Sequence, residues 1–157
     1  MDLPITPKFF KKLELFQGLR RLDTRNKDHE EWKMEKEFLF WAHENHFHLG
    51  TYFNTPRIIE ILSRSNKFTN QQLSNHTLKM MQNTVEHGWA EYFMTQPKYN
   101  DIKINRLGIL MAEVIFDSNS KLKRCFYIIF SVATWIIFGL TILALVLGVI
   151  HLIILII

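Results

Sequence analysis

The chain divides into a charged part and an apolar part. All 19 Lys and Arg and all 15 Asp and Glu residues lie within residues 1–124, and the last 33 residues, from Cys125 onward, contain none. This run exceeds the ~20 residues that cross a bilayer, so it predicts one transmembrane helix. As a single helix it would measure about 50 Å against a hydrocarbon core of about 30 Å, which predicts either a tilt or a projecting end.

Basic residues stand on one side of this run only. Lys121, Lys123 and Arg124 precede it and none follows. The positive-inside rule therefore predicts a cytoplasmic location for residues 1–124, with these three residues flanking the membrane. An acidic Asp2 and lysines at 8, 11 and 12 argue against a signal peptide at the start of the chain. Cys125, the single cysteine, permits no internal disulfide and would lie at the membrane boundary as a free thiol or an acylated one.

The first amphipathic segment covers residues 1–27 with its connection. Thr6 and Pro7 are typical of a helix start, and Phe9, Leu13 and Phe16 then recur at helical spacing among basic residues. Such a helix can lie on an anionic leaflet. It can also dock its apolar face on the rest of the domain or on a second copy, which is the commoner outcome.

Four further helices and a hairpin are predicted within residues 28–120. A helix over about 28–45 has its core face at Met34, Phe38 and Trp41, and residues 46–53 form a short strand or linker. A Thr-Pro start at Thr55 opens the next helix. The helix after it begins with a capping box at Thr69 and ends before a glycine, with its core face at Leu73, Leu78, Met81 and Val85.

A hairpin then joins residues 89–95 to 102–105 through a turn at 97–101, and a last helix covers about 106–116. The predicted fold is therefore mainly α with a small β-hairpin. Residues 121–157 form the basic flank and the transmembrane helix.

This order of elements resembles the winged helix-turn-helix fold between residues 55 and 115. Thr55-Pro56-Arg57 looks like the opening of the first motif helix, and Gly88 is similar to the glycine that ends a recognition helix. Ile104-Asn105-Arg106-Leu107-Gly108 resembles the junction after the wing, where many such domains carry Thr-x-x-Gly. The segment 55–88 is some two helical turns longer than the usual motif.

The resemblance implies a recognition helix over residues 69–87 that enters the major groove of DNA. That segment offers many amide side chains for base edges, but Lys79 is its only lysine and it has no arginine, so phosphate contacts would be few. The same polar surface would equally suit a protein partner. The candidate contact residues are Arg57, Arg64, Lys67, Asn70, Gln71, Asn75, His76, Lys79, Lys98 and Lys103.

Other chemistry is weakly indicated. His43, His46 and His48 fit no zinc spacing, and phosphate loops, nucleophile elbows and HExxH runs are missing from the sequence, so neither an enzyme nor a cofactor is expected. The acidic pairs Glu30-Glu31 and Glu35/Glu37 are interpreted as surface ion pairs of a Lys-rich helix. A net charge of +4 is compatible with nucleic acid or an anionic membrane and requires neither.

The sequence therefore predicts a membrane-anchored, non-enzymatic regulator or adaptor that binds DNA or a protein partner. A second hypothesis is a small membrane-acting effector whose apolar tail oligomerises and perturbs the bilayer. A third is a structural interaction module. Membrane lipid, DNA or a protein, and a second copy of the chain are the expected partners.

Overall fold

The structure, a computed structural model, describes residues 7–26, 28–45, 51–93 and 101–156. Within them the chain is mainly helical and carries one small antiparallel sheet with the strand order β1-β3-β2. The predicted hairpin is thus joined by a third strand. The elements are α1 Pro7–Arg25, α2 Glu30–Glu44, β1 Tyr52–Phe53, α3 Thr55–Arg64, α4 Asn70–Glu86, β2 Ala90–Phe93, β3 Asp101–Ile104, α5 Arg106–Asn119 and α6 Lys121–Ile156.

Local sequence signals explain where α3 and α4 begin and end. The capping box is confirmed, because the Thr69 side chain accepts from the Gln72 backbone and the Gln72 side chain accepts from the Thr69 backbone. Helix α3 begins at Thr55 as predicted. Its cap is the preceding residue, Asn54, whose side chain accepts from the Arg57 N–H. Gly88 follows α4 with φ of 74°, a conformation that glycine adopts without a steric cost.

The hydrophobic core is centred on α2, which packs against α3, α4 and α5. Met34, Phe38 and Leu39 are completely buried there, and the ring of Phe53 from β1 meets Phe38 edge to face at 5.0 Å. Ile102 and Ile104 point from β3 into the same core. The sheet therefore closes one side of the helical cluster.

Helix α1 docks its apolar face on α5 and on the start of α6. Leu13, Phe16 and Leu19 are buried in this contact. The ring of Phe16 stacks on Tyr127 with 5.0 Å between ring centroids, and Tyr127 is only 5% exposed. The apolar face of α1 is thus covered by the rest of the domain, which is one of the two arrangements predicted from the sequence. The other, an apolar face lying on an anionic leaflet, is not observed.

The first turns of α6 belong to this packed unit. The Tyr127 hydroxyl donates to Asp117 at 3.1 Å, and the Gln17 amide donates to the Ser131 hydroxyl at 2.9 Å. From residue 134 onward every described side chain is exposed, and Lys121–Ile154 is long and apolar enough to cross a membrane. About 23 residues remain beyond the packed turns, or about 34 Å of helix, which removes most of the excess length inferred from the sequence.

Candidate functional site

The outward face of α4 is an uncharged stripe along one side of the helix. Gln71, Asn75, Leu78 and Gln82 are all exposed and follow one another at helical spacing. We call these four residues the α4 stripe. Leu78 is 48% exposed at its centre, so its predicted place in the core is wrong.

The buried face of α4 is completed by threonines in place of Leu78. Thr77 and Thr84 are buried beside Leu73, Met80 and Met81. Each hydroxyl donates to the carbonyl four residues earlier, at 2.6 Å for Thr77 and 2.9 Å for Thr84. A hydroxyl satisfied within its own helix can be buried at little cost, and this leaves the leucine free to face outward.

Two predicted contact residues on α4 turn toward α2. His76 and Lys79 both meet one Glu31 carboxylate oxygen, each at 3.1 Å. Burial raises the pKa of Glu31, but hydrogen bonds from a backbone N–H, His76 and Lys79 outweigh burial and lower this pKa to about 2. The expected surface ion pair is therefore a buried carboxylate, and it engages the one lysine of α4.

A second carboxylate lies deeper between α2 and α4. Glu35 is completely buried, and its Oε1 is 3.1 Å from Nδ1 of His87, the C-cap residue that follows α4. Burial raises the pKa of Glu35, and the bond to Glu35 raises the pKa of His87. The interpretation of Glu35 as a surface residue is wrong. Replacing His87 would take the histidine partner away from a completely buried carboxylate.

Most of the other predicted basic contacts are also paired. Lys67 bonds to Glu37 at 2.6 Å and Arg64 to Glu60 at 2.5 Å. The guanidinium of Arg57 lies over the Phe53 ring and donates to the Tyr52 carbonyl at 3.5 Å. On the outer face of the sheet, Lys103 of β3 lies opposite Tyr52 of β1 and Glu91 of β2.

The predicted contact residues therefore do not form one continuous basic surface. Asn70, Gln71 and Asn75 lie together on the first half of α4, Arg57 lies at the start of α3, and Lys103 lies on the sheet. Lys98 lies outside the described residues. The three flank residues Lys121, Lys123 and Arg124 are all exposed, and Lys123 bonds to Asp117 at 2.6 Å.

The junction between the sheet and α5 fixes the far end of α4. The Asn105 side chain accepts from the Gly108 N–H and donates to the Gly88 carbonyl, both at 2.9 Å. Its backbone N–H donates to the Trp89 carbonyl at 3.2 Å. Asparagine thus caps α5 through its side-chain oxygen and also ties the α4 terminus to the sheet through its side-chain amide nitrogen.

Metal-ligand chemistry is not concentrated anywhere in the described ranges. No group of three or more His, Cys, Asp or Glu residues converges within them. Two of the three histidines weighed as ligands, His46 and His48, lie outside those ranges.

Comparison of the chain with protein-family models, with curated proteins and with solved structures gives no match.

Proposed function

We propose that this chain is a membrane-anchored, non-enzymatic binding protein. In this proposal α6 crosses the bilayer, the preceding residues form a winged-helix-like domain on the cytoplasmic side, and the α4 stripe docks a protein partner. The exposure of Leu78 at the centre of an uncharged stripe is the observation that carries the proposal.

The topology supports the winged-helix part of this proposal. The order α2-β1-α3-α4-β2-β3 and the sheet order β1-β3-β2 match the helix, strand and wing arrangement of winged helix-turn-helix domains. In that arrangement α4 stands in the place of the recognition helix. Winged-helix domains serve as docking modules for protein as well as for DNA. The choice between these two ligands therefore depends on the residues that the domain exposes.

The surface favours a protein. DNA affinity rests largely on the neutralisation of phosphates by Lys and Arg. Here Lys67, Lys79 and Arg64 already bond to carboxylates of the domain. The α4 stripe is an exposed leucine among neutral amides and carries no charged residue, and the cores of protein interfaces are likewise depleted in charged residues. A single leucine is a small anchor, which indicates a modest interface and not an obligate one.

Site-specific photo-crosslinking tests this proposal. A benzophenone amino acid replaces Leu78 in one variant and Phe10, an exposed residue of α1, in a matched control. In membranes of the native cells we expect a discrete crosslinked protein from position 78, and from Gln82 on the same stripe, but none from position 10. Equal products from both helices, or none from the stripe, would refute the docking surface.

DNA is the second candidate, because three exposed amides lie together on the first half of α4. Asn70, Gln71 and Asn75 have the donors and acceptors that read base edges. The full chain in detergent is titrated with a pool of random duplexes at about 50 and 200 mM salt, conditions between which phosphate-dependent binding falls steeply. Salt-sensitive retention that Asn75→Ala abolishes would establish DNA as the ligand in place of a protein.

A further inference from the structure

A groove of about 510 Å³ lies between the C-terminal half of α1 and α6. On the α1 side it carries three arginines and no acidic residue. On the α6 side it is closed by one hydroxyl and one indole. The lining residues are Gln17, Arg20, Arg21, Thr24, Arg25, Ser131 and Trp135.

The groove sits where α6 leaves the packed part of the protein. The last polar contact between α1 and α6 is the bond from Gln17 to Ser131, and every described side chain from residue 134 onward is exposed. If α6 crosses the bilayer as proposed above, the headgroup layer falls near Ser131 and Trp135. Tryptophan is enriched at that level of membranes, and Trp135 is 61% exposed.

The three groove arginines lack a counter-charge within the described ranges of the chain. Arg20, Arg21 and Arg25 are exposed and form no ion pair within the described part of the chain. The acidic residues of α1 are engaged elsewhere: Glu14 bonds to Lys11, and Asp23 bonds to Lys36 of α2 at 2.6 Å. Three neighbouring positive charges on a docked helix therefore face the groove, and no acidic residue that the structure describes neutralises them.

We propose that this groove binds the phosphate headgroup of an anionic phospholipid. Guanidinium groups bond phosphate oxygens in pairs and hold their charge at any physiological pH. A lipid, and not free phosphate, is the expected source because the groove opens at the level where headgroups lie. Docking of the apolar face of α1 on α5 and α6 holds the arginines there, so α1 couples the domain to the lipid surface.

The test uses the full chain in dodecyl maltoside micelles and measures the melting temperature by tryptophan fluorescence. Palmitoyl-oleoyl phosphatidylglycerol is titrated against the zwitterionic phosphatidylcholine of the same chains. We expect phosphatidylglycerol to raise the melting temperature of the wild type. The variant Arg20→Gln/Arg21→Gln/Arg25→Gln should need at least about tenfold more of this lipid for the same rise.

A matched control removes the same charge elsewhere, with Arg57→Gln/Arg64→Gln/Arg106→Gln, and should respond like the wild type. A single Arg21→Gln variant serves if the triple variant melts differently in phosphatidylcholine alone. The proposal is overturned if the groove variant keeps the wild-type response, if the control loses it equally, or if inorganic phosphate at the same concentration produces the same rise.

Alkaline carbonate extraction of membranes separates this inference from the proposed anchoring. Release of the wild-type chain into the supernatant would overturn the anchoring by α6, and the lipid site with it. Retention of the wild type, together with an unchanged lipid response of the groove variant, would overturn the lipid site alone.

Discussion

Gly108 provides the sharpest test of the packing described above. A Cβ at this position would lie 2.0 Å from the Trp89 carbonyl oxygen and 2.7 Å from the Ile104 side chain. Carbon and oxygen atoms normally approach to about 3.3 Å, so α5 or the start of β2 would have to move by more than ~1 Å. The obstacle is backbone, which cannot rotate out of the way as a side chain can.

The expected cost of Gly108→Ala follows from three contributions. Overpacking costs about 1 to 3 kcal/mol, and at this distance the upper part of that range applies. Displacement also weakens the bond from Asn105 N–H to the Trp89 carbonyl, at about 1 kcal/mol. Alanine returns about 1 kcal/mol through its higher helix propensity. The net loss is about 2 to 3 kcal/mol.

Gly18→Ala is the matched control, because Gly18 lies within α1 and a Cβ there would meet nothing within 4 Å. It should stabilise the protein by about 0.5 to 1 kcal/mol. Both variants are unfolded thermally as full chains in detergent, with tryptophan fluorescence as the signal. Gly108→Ala should lower the melting temperature by roughly 5 to 10 °C. Equal melting temperatures for wild type and Gly108→Ala would refute the close approach of α5 to the sheet.

Three further predictions concern the buried ion pair, the first turns of α6 and the orientation in the membrane. The pKa of His87 is raised above its ordinary 6.5, so the stabilisation by protonated His87 is complete below pH 6.5 and is lost as the pH rises through the pKa of His87 in the folded protein. The urea concentration at the unfolding midpoint should therefore fall from pH 6 to pH 9, and it should fall less steeply in His87→Asn. Truncation to residues 1–120 removes the packing of Tyr127 and should cost about 3 kcal/mol or more in urea unfolding relative to residues 1–133, which also tests the predicted boundary at residue 121. A membrane-impermeant maleimide should label Cys125 in inside-out vesicles and not in right-side-out ones; labelling in right-side-out vesicles would reverse the proposed orientation.

The sequence was sufficient wherever local chemistry decides the structure. The apolar run that became α6, the capping box at Thr69 and the glycine after α4 each depend on neighbouring residues only. Element order followed from the same signals. One of the two alternatives for residues 46–53, a short strand, is observed as β1, but its pairing with β3, some fifty positions away, could not be predicted from neighbouring residues.

The angular position of a residue around its helix explains why the predictions for Leu78 and Glu35 are wrong. Leu78 follows Leu73 by five positions, which rotates it about 140° around the helix, whereas Met80 returns close to the direction of Leu73. On α2, Glu31, Glu35 and Phe38 share one face at spacings of four and three. Residue type suggested solvent for the two acids, but their phase with Phe38 placed them in the core.

The histidine partners of Glu31 and Glu35 could not be predicted from the sequence. His76 and His87 reach Glu31 and Glu35 only because α4 crosses α2 at a particular height and angle. Nothing in the spacing along either helix encodes that crossing. A buried carboxylate left without its histidine would be costly, so the two pairs in turn favour this crossing over others that the apolar residues alone would permit.

The short connection to α6 restricts what the α4 stripe can reach. Only Ser120 separates α5, which ends at Asn119, from α6, which begins at Lys121, and α1 packs across both helices. The unit therefore has no flexible tether between the domain and its proposed anchor, unlike proteins in which a long linker lets a domain explore the cytoplasm. If α6 crosses the bilayer, the stripe stays within one domain diameter of the membrane surface. A protein partner that is itself bound to the membrane always lies within this distance, whereas a DNA site must first be brought to the membrane. This geometric restriction is an independent reason to prefer a protein partner.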